Sequence, residues 1–168
     1  MKSEEYHKFM KIAVEEAKSS LKEGNKGFGA VLVKNGEVVA VAHDTEVADS
    51  DPTAHAEMNV IKKALKVNVK DLAGCVIFST HEPCPMCTGA IIWAKISEIV
   101  FGASIKDSLA FGRNMIDLGC GELIERSPWK VKLKEGVLKK ECSALYNREV
   151  GKLGEKLVAT NHRTRTVT

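Results

Sequence analysis

A chain of 168 residues with 44% hydrophobic content is long enough for one compact domain with a sizeable core. Its 25 basic and 22 acidic residues leave a net charge of +3, too balanced to announce a nucleic-acid binder, and no run of about 18 apolar residues offers a membrane span. The five cysteines are an odd count and the start, Met1-Lys2-Ser3-Glu4-Glu5, has no apolar signal region, so a soluble protein of the reducing cytoplasm, without a membrane partner, is expected.

In chain order, Glu4 to Leu21 carries Phe9, Ile12, Ala13, Ala17 and Leu21 at roughly helical spacing, which predicts an amphipathic first helix. Apolar, β-branched runs from Phe28 to Lys34 and from Glu37 to Ala42 flank Asn35-Gly36, the pattern of a hairpin. A polar loop, His43 to Thr53, leads into a helix from Ala54 to Lys66, with Thr53 as N-cap and Pro52 marking the break. Cys75 to Thr80 reads as a buried strand, and Pro85 suits the first turn of a helix running to about Ala94. Glu98 to Phe101 is another buried strand. The stretch from Gly102 to Pro128, with Gly112, Gly119 and Gly121, reads as irregular; Lys130 to Lys134 reads as a strand, and Val137 to about Leu157 as a helix.

A hairpin followed by alternating strands and helices predicts an α/β domain over residues 1–158, a three-layer α/β/α sandwich. The rest, 159–168, is a basic tail. It contains His162, Arg163 and Arg165 and no acid. It reads as a frayed end, or as a strap over RNA or a neighbouring subunit's site.

The chemistry concentrates in His55-Ala56-Glu57 and Pro83-Cys84-Pro85-Met86-Cys87. One imidazole and two thiolates can hold a single Zn²⁺ per chain while leaving its fourth tetrahedral position open to water. Two thiolates cancel the metal's charge, so a water there can titrate near neutrality. Glu57 is better placed as general acid and base than as a fourth ligand, because a fourth ligand would fill the water's position. The spacing has a structural reason as well. His55 and Glu57 fall at the first turn of one predicted helix, and Cys84 and Cys87, three apart on one face, at the start of another. Helix N-termini favour thiolate over thiol. Competing readings are a redox pair, or a closed structural site with His81 or His43 as fourth ligand; the latter gives a non-catalytic, zinc-stabilised interaction domain.

With these residues the chain resembles the cytidine-deaminase-like zinc deaminases, specifically the branch of guanine deaminases, bacterial tRNA adenosine deaminases and fungal cytosine deaminases. The resembling segments are Phe28 to Val33, Asp51 to Glu57, Glu82 to Ile91 and Ile99 to Gly102. The resemblance implies a mixed five-stranded sheet between helices and a homodimer or larger assembly. It makes His55, Cys84 and Cys87 the zinc ligands and Glu57 the proton shuttle. Substrate contacts are then expected at the backbone of Ala56, Glu82 and Cys84, and at the aromatics Phe28 and Trp93.

Small guanine deaminases are the nearest likeness around Glu82 to Ala94, so the expected function is zinc-dependent hydrolytic deamination of a free nucleobase or related amino-heterocycle. A guanine-type purine comes first. Two positions depart from that pattern: Asp44 stands where the branch usually has Asn, and Asn114 lies near an expected acid. An ionised Asp44 only accepts hydrogen bonds where an amide also donates, which changes the edge of a base that fits. The second expectation is a tRNA-specific adenosine-to-inosine deaminase. It shares Asp51 to Glu57 and Val100 to Ala103, but Ser104 to Ser108 replaces the Lys-Thr-Gly-Ala stretch of that group.

Overall fold

The computed structural model describes residues 1–67 and 71–146. Asn35 and Gly36 both take positive φ, 54° and 79°, as a tight two-residue turn requires. They join β1 (Gly29–Lys34) to β2 (Glu37–His43). Three further strands, β3 (Val76–His81), β4 (Glu98–Ala103) and β5 (Lys132–Lys134), complete a sheet of order β2-β1-β3-β4-β5. The β2–β1 and β1–β3 pairs are antiparallel and the β3–β4 and β4–β5 pairs parallel. The expected mixed five-stranded sheet is therefore present.

Alternation along the strands builds two cores, because successive side chains of a strand leave opposite faces. Val31, Val33, Phe78 and Val100 pack with Phe9, Met10 and Ala13 of α1 (Ser3–Lys22) and with Cys142 of α7 (Lys139–Ala144). Ala30, Leu32, Ile77, Ile99 and Phe101 pack on the other face with Val60 and Ala64 of α3 (Ala56–Lys66), Ile91 of α4 (Pro85–Trp93) and Cys120 of α6 (Cys120–Glu125). These are the three layers. No described helix is long and apolar enough to cross a membrane.

Several boundaries differ from expectation. The helix placed at Ala54 starts at Ala56, and its N-cap is His55, with φ −70° and ψ 156°, rather than Thr53. The polar loop before it contains a single turn, α2 (Glu46–Asp49). The segment expected to be irregular holds two short helices, α5 (Ile105–Ala110) and α6. Ser104 and Asp107 form a reciprocal capping box at the first of them. The expected C-terminal helix is described only as α7; its continuation and the basic tail lie outside the described residues.

Candidate active site

Two helix starts meet at the carboxyl end of β3. After His81 the chain passes through Glu82 and Pro83 to Cys84, the N-cap of α4, and Pro85 at the first helical position suits that turn. Cys87 lies in the first turn and is fully buried. Facing it is His55, at the start of α3. Its Nδ1 lies 3.7 Å from Cys84 Sγ and 3.5 Å from Cys87 Sγ. Zinc bonds of about 2.3 Å to sulfur and about 2.0 Å to nitrogen put the S···N edge of a tetrahedron at about 3.5 Å. The trio fits zinc, and its ligand atoms all lie within 4.8 Å of one another.

Neither candidate for a fourth histidine ligand points there. His43 is held between Glu16 and Glu23, at 2.9 Å from each. His81 is buried, its Nδ1 2.7 Å from the Glu82 carbonyl oxygen and its Nε2 2.7 Å from Ser108 Oγ. Among the described residues, the cysteines share a metal-capable cluster with His55 alone. The ligand set is therefore three-membered and open.

The protons of this cluster are strongly displaced from their ordinary values. A hydrogen bond from Cys87, against the cost of burial and with help from His55, brings the Cys84 thiol down to about 4. Cys87 is pushed up by its bond to Cys84 and by burial. Cys84 raises His55 to about 9, although burial opposes it. Glu57 is pushed up by burial first and by the Cys84 charge second. Its Oε1 accepts a hydrogen bond of 2.8 Å from Ser79 Oγ, which fixes the carboxylate beside the trio. A carboxyl raised in this way can both take and return a proton.

The remaining expected residues divide. Ala56 is fully buried at the first position of α3, and its backbone lies between His55 and Glu57. Phe28 is half-buried and meets the His81 ring edge-on, with centroids 5.1 Å apart. Asp44 is fully buried. Its Oδ1 accepts from the Glu46 N–H at 3.3 Å, and its Oδ2 has no hydrogen-bond partner among the described residues. Burial raises its pKa, and the Glu46 backbone N–H, the nearby His55 charge and the Lys26 backbone N–H work against that.

Three further expected residues lie away from the metal-ligand trio or are engaged elsewhere. Trp93 is 75% exposed and pairs with Trp129 at 5.2 Å between ring centres. It sits at the far end of α4, roughly 13 Å along the helix from Cys84. It is a surface aromatic. Glu82 has its N–H bonded to the Ala103 carbonyl oxygen at 2.8 Å. Its carboxylate accepts from Ile105 N–H at 2.9 Å and Cys120 N–H at 2.8 Å, the first residues of α5 and α6. Through these bonds Glu82 holds the wall of the site together. Asn114 is exposed. Its neighbour Arg113 turns inward instead, with its guanidinium 4.7 Å from the ring centres of both Phe28 and Tyr146.

Arg113, Ser79 and Glu46 were not anticipated. A lone Ser among Val76, Ile77 and Phe78 was a visible signal, since a polar side chain in a buried strand needs a partner. For Arg113 and Glu46 nothing local distinguishes them from surface charges.

Comparison with known proteins agrees with this geometry. The profile of the cytidine and deoxycytidylate deaminase zinc-binding region matches residues 3–103. A tRNA-specific adenosine deaminase of Aquifex aeolicus is 43% identical over 56% of this chain, which spans 64% of that protein, just under two thirds. The corresponding protein of Bacillus subtilis is 36% identical over 88% of this chain and 90% of its own length. A guanine deaminase of Bacillus subtilis is 41% identical over 62% of this chain and 68% of its own length. A solved structure from work on A-to-I editing by tRNA:A34 deaminases superposes with a TM-score of 0.70 at 29% identity, covering 82% of this chain and 97% of that one.

Proposed function

The chain belongs to the cytidine and deoxycytidylate deaminase zinc-binding family and is a zinc-dependent hydrolytic deaminase; on that premise we propose that its substrate is a free nucleobase or related small amino-heterocycle, a guanine-type purine first. The observation that carries this reading is Asp44, a fully buried carboxylate beside His55 with one oxygen unpartnered among the described residues. A buried acceptor is costly until a donor meets it. Guanine flanks its amino-bearing carbon with a ring N–H, whereas adenine flanks its own with one ring-nitrogen acceptor and a carbon, and so offers no ring donor there. The loop around Asp44 also carries Glu46, Asp49 and Asp51, with no Lys or Arg from residue 44 to 53. An acidic wall of that kind repels a phosphate backbone.

The chain's own residues then divide the work. Phe28 offers a ring face or edge to the heterocycle, and Asp44 reads its donor. Glu57, steadied by Ser79, takes a proton from the attacking water and delivers it to the ring nitrogen. A second transfer through Glu57 protonates the amine, the C–N bond breaks, and ammonia leaves. Held by His55, Cys84 and Cys87, zinc would supply Lewis-acid polarisation of the attacking water. We take residues 1–158 as one catalytic domain, cytoplasmic and homodimeric.

A tRNA adenosine deaminase is the second reading, favoured by relatives matched over most of their length. Lys62, Lys63 and Lys66 line a groove of about 370 Å³ that such an RNA could use, though Glu16 and Asp49 line it too. Ammonia release from zinc-loaded protein separates the two. Guanine, adenine, cytosine, their nucleosides and a tRNA anticodon stem-loop are the substrates to compare. Turnover of guanine is expected, with its rate relative to the other bases changed in Asp44→Asn, because an amide both donates and accepts where an ionised carboxylate only accepts. Turnover of the stem-loop alone would overturn the free-base reading.

A further inference from the structure

His55 presents Nδ1 to the two thiols, which leaves Nε2 at the opposite edge of the ring. That edge faces acid. Glu46 Oε2 lies 3.5 Å from His55 Nε2, and the same oxygen receives Lys26 Nζ at 2.6 Å. Asp44, Glu46 and His55 form the other metal-capable cluster among the described residues, with their ligand atoms within 4.8 Å of one another. Of the two acids, Glu46 has its carboxylate anchored by a cation reaching across from the loop after α1. Asp44 has no such anchor on Oδ2. Glu46 is also the first residue of α2, outside the Asp51 to Glu57 stretch that carries the ligand motif.

We propose that Glu46, held by Lys26, is a positioning residue for the metal centre: it keeps the His55 proton on Nε2 and so presents the Nδ1 lone pair to the ion. The chemistry is general. A neutral imidazole has one N–H and one lone pair, and a carboxylate at one edge selects the tautomer with the N–H on that side. It also makes the other nitrogen a stronger donor and restrains the ring plane. At 3.5 Å the contact is electrostatic rather than a short hydrogen bond, so its effect is on orientation and charge. Lys26 fixes the carboxylate without contributing an acceptor of its own.

The inference rests on the zinc assignment above, and the test separates the two. Zinc affinity is measured by competition with a chromophoric chelator under reducing conditions, for wild type, Glu46→Ala, Glu46→Gln, Lys26→Met and His55→Ala. Cobalt-substituted spectra are recorded in parallel. Glu46→Ala is expected to weaken zinc roughly 10–100-fold and to shift the cobalt bands. Glu46→Gln should lie between it and wild type, because the amide oxygen still accepts from Nε2–H but carries no charge. Lys26→Met should weaken zinc less than Glu46→Ala. If Glu46→Ala does not fold, Glu46→Gln and the cobalt spectrum carry the test. Wild-type affinity and spectra in the Glu46 variants, with binding lost in His55→Ala, would overturn the role of Glu46 alone. Wild-type affinity in His55→Ala would overturn the zinc assignment itself. A purely structural ion pair would lower the melting temperature of the zinc-free protein and leave affinity and spectrum unmoved, and that result also counts against the proposal.

Discussion

His81 keeps its imidazole neutral well below the ordinary histidine range. The ring is buried against Phe28, with Nδ1–H donating to the Glu82 carbonyl and Nε2 accepting from Ser108 Oγ. Burial depresses its pKa from 6.5 to about 4; the Glu82 carbonyl resists this and the Arg113 charge adds to it. The folded protein thus binds this proton more weakly than the unfolded chain does. The stability linked to His81 is complete above 6.5, is lost progressively as pH falls towards 4, and stays lost below. One pH unit is worth about 1.4 kcal/mol per proton, so the whole window amounts to about 3 kcal/mol, and about 2 kcal/mol is gone by about pH 5. The assay is urea unfolding of zinc-free, reduced protein between about pH 4 and about pH 7.5, for wild type and His81→Gln. The variant starts less stable because it disturbs the bonds to Ser108 and Glu82. Other acid-sensitive groups, the metal ligands included, are common to both proteins and cancel in the difference. The gap between the two should narrow by about 2 kcal/mol between neutrality and about pH 5. Parallel curves would refute the reasoning.

Glu57→Gln should lower turnover by roughly 10²–10⁴-fold while metal analysis still finds zinc, since the three ligands are untouched; ammonia release beside metal content checks this. Chelation of the wild-type protein should abolish turnover and lower its melting temperature, because ligand binding and folding are coupled; an unchanged melting temperature would uncouple the trio from the metal. Gly29→Ala should destabilise by at least about 1–3 kcal/mol, the usual cost of overpacking. Its Cβ would lie 2.0 Å from the Ala13 carbonyl oxygen and 2.6 Å from Ala17 N, and backbone cannot swing aside. Thermal unfolding reads that directly.

What was legible in the chain was local. Asn35-Gly36 marks its hairpin because the turn's own residues supply the positive φ. Cys84 and Cys87 declare a common target because their spacing alone sets them on one helical face. The misses share a different origin. α6 starts where Cys120 N–H meets a carboxylate from residue 82, a cap 38 residues away that no local window contains. Trp93 was expected at the substrate from the family resemblance alone; α4 is so uniformly apolar that periodicity could not say which face meets the core and which meets solvent, and Trp93 lies exposed. Arg113 reaches the site by the path of the chain after α5, which backbone geometry decides and composition does not. Even the cap of α3 was misplaced by two residues, because Thr53 and His55 both precede the apolar run.

Glu82 has a consequence for anyone recombining these proteins. One carboxylate seats the starts of both α5 and α6, and it belongs to the same short stretch that delivers Cys84. The region from 104 to 125 is therefore not an independently exchangeable cassette. A chimaera that imports this region from a relative must import the acid at position 82 with it, or two helices lose their anchor in one crossover. Breakpoints placed after Glu125 keep that linkage intact.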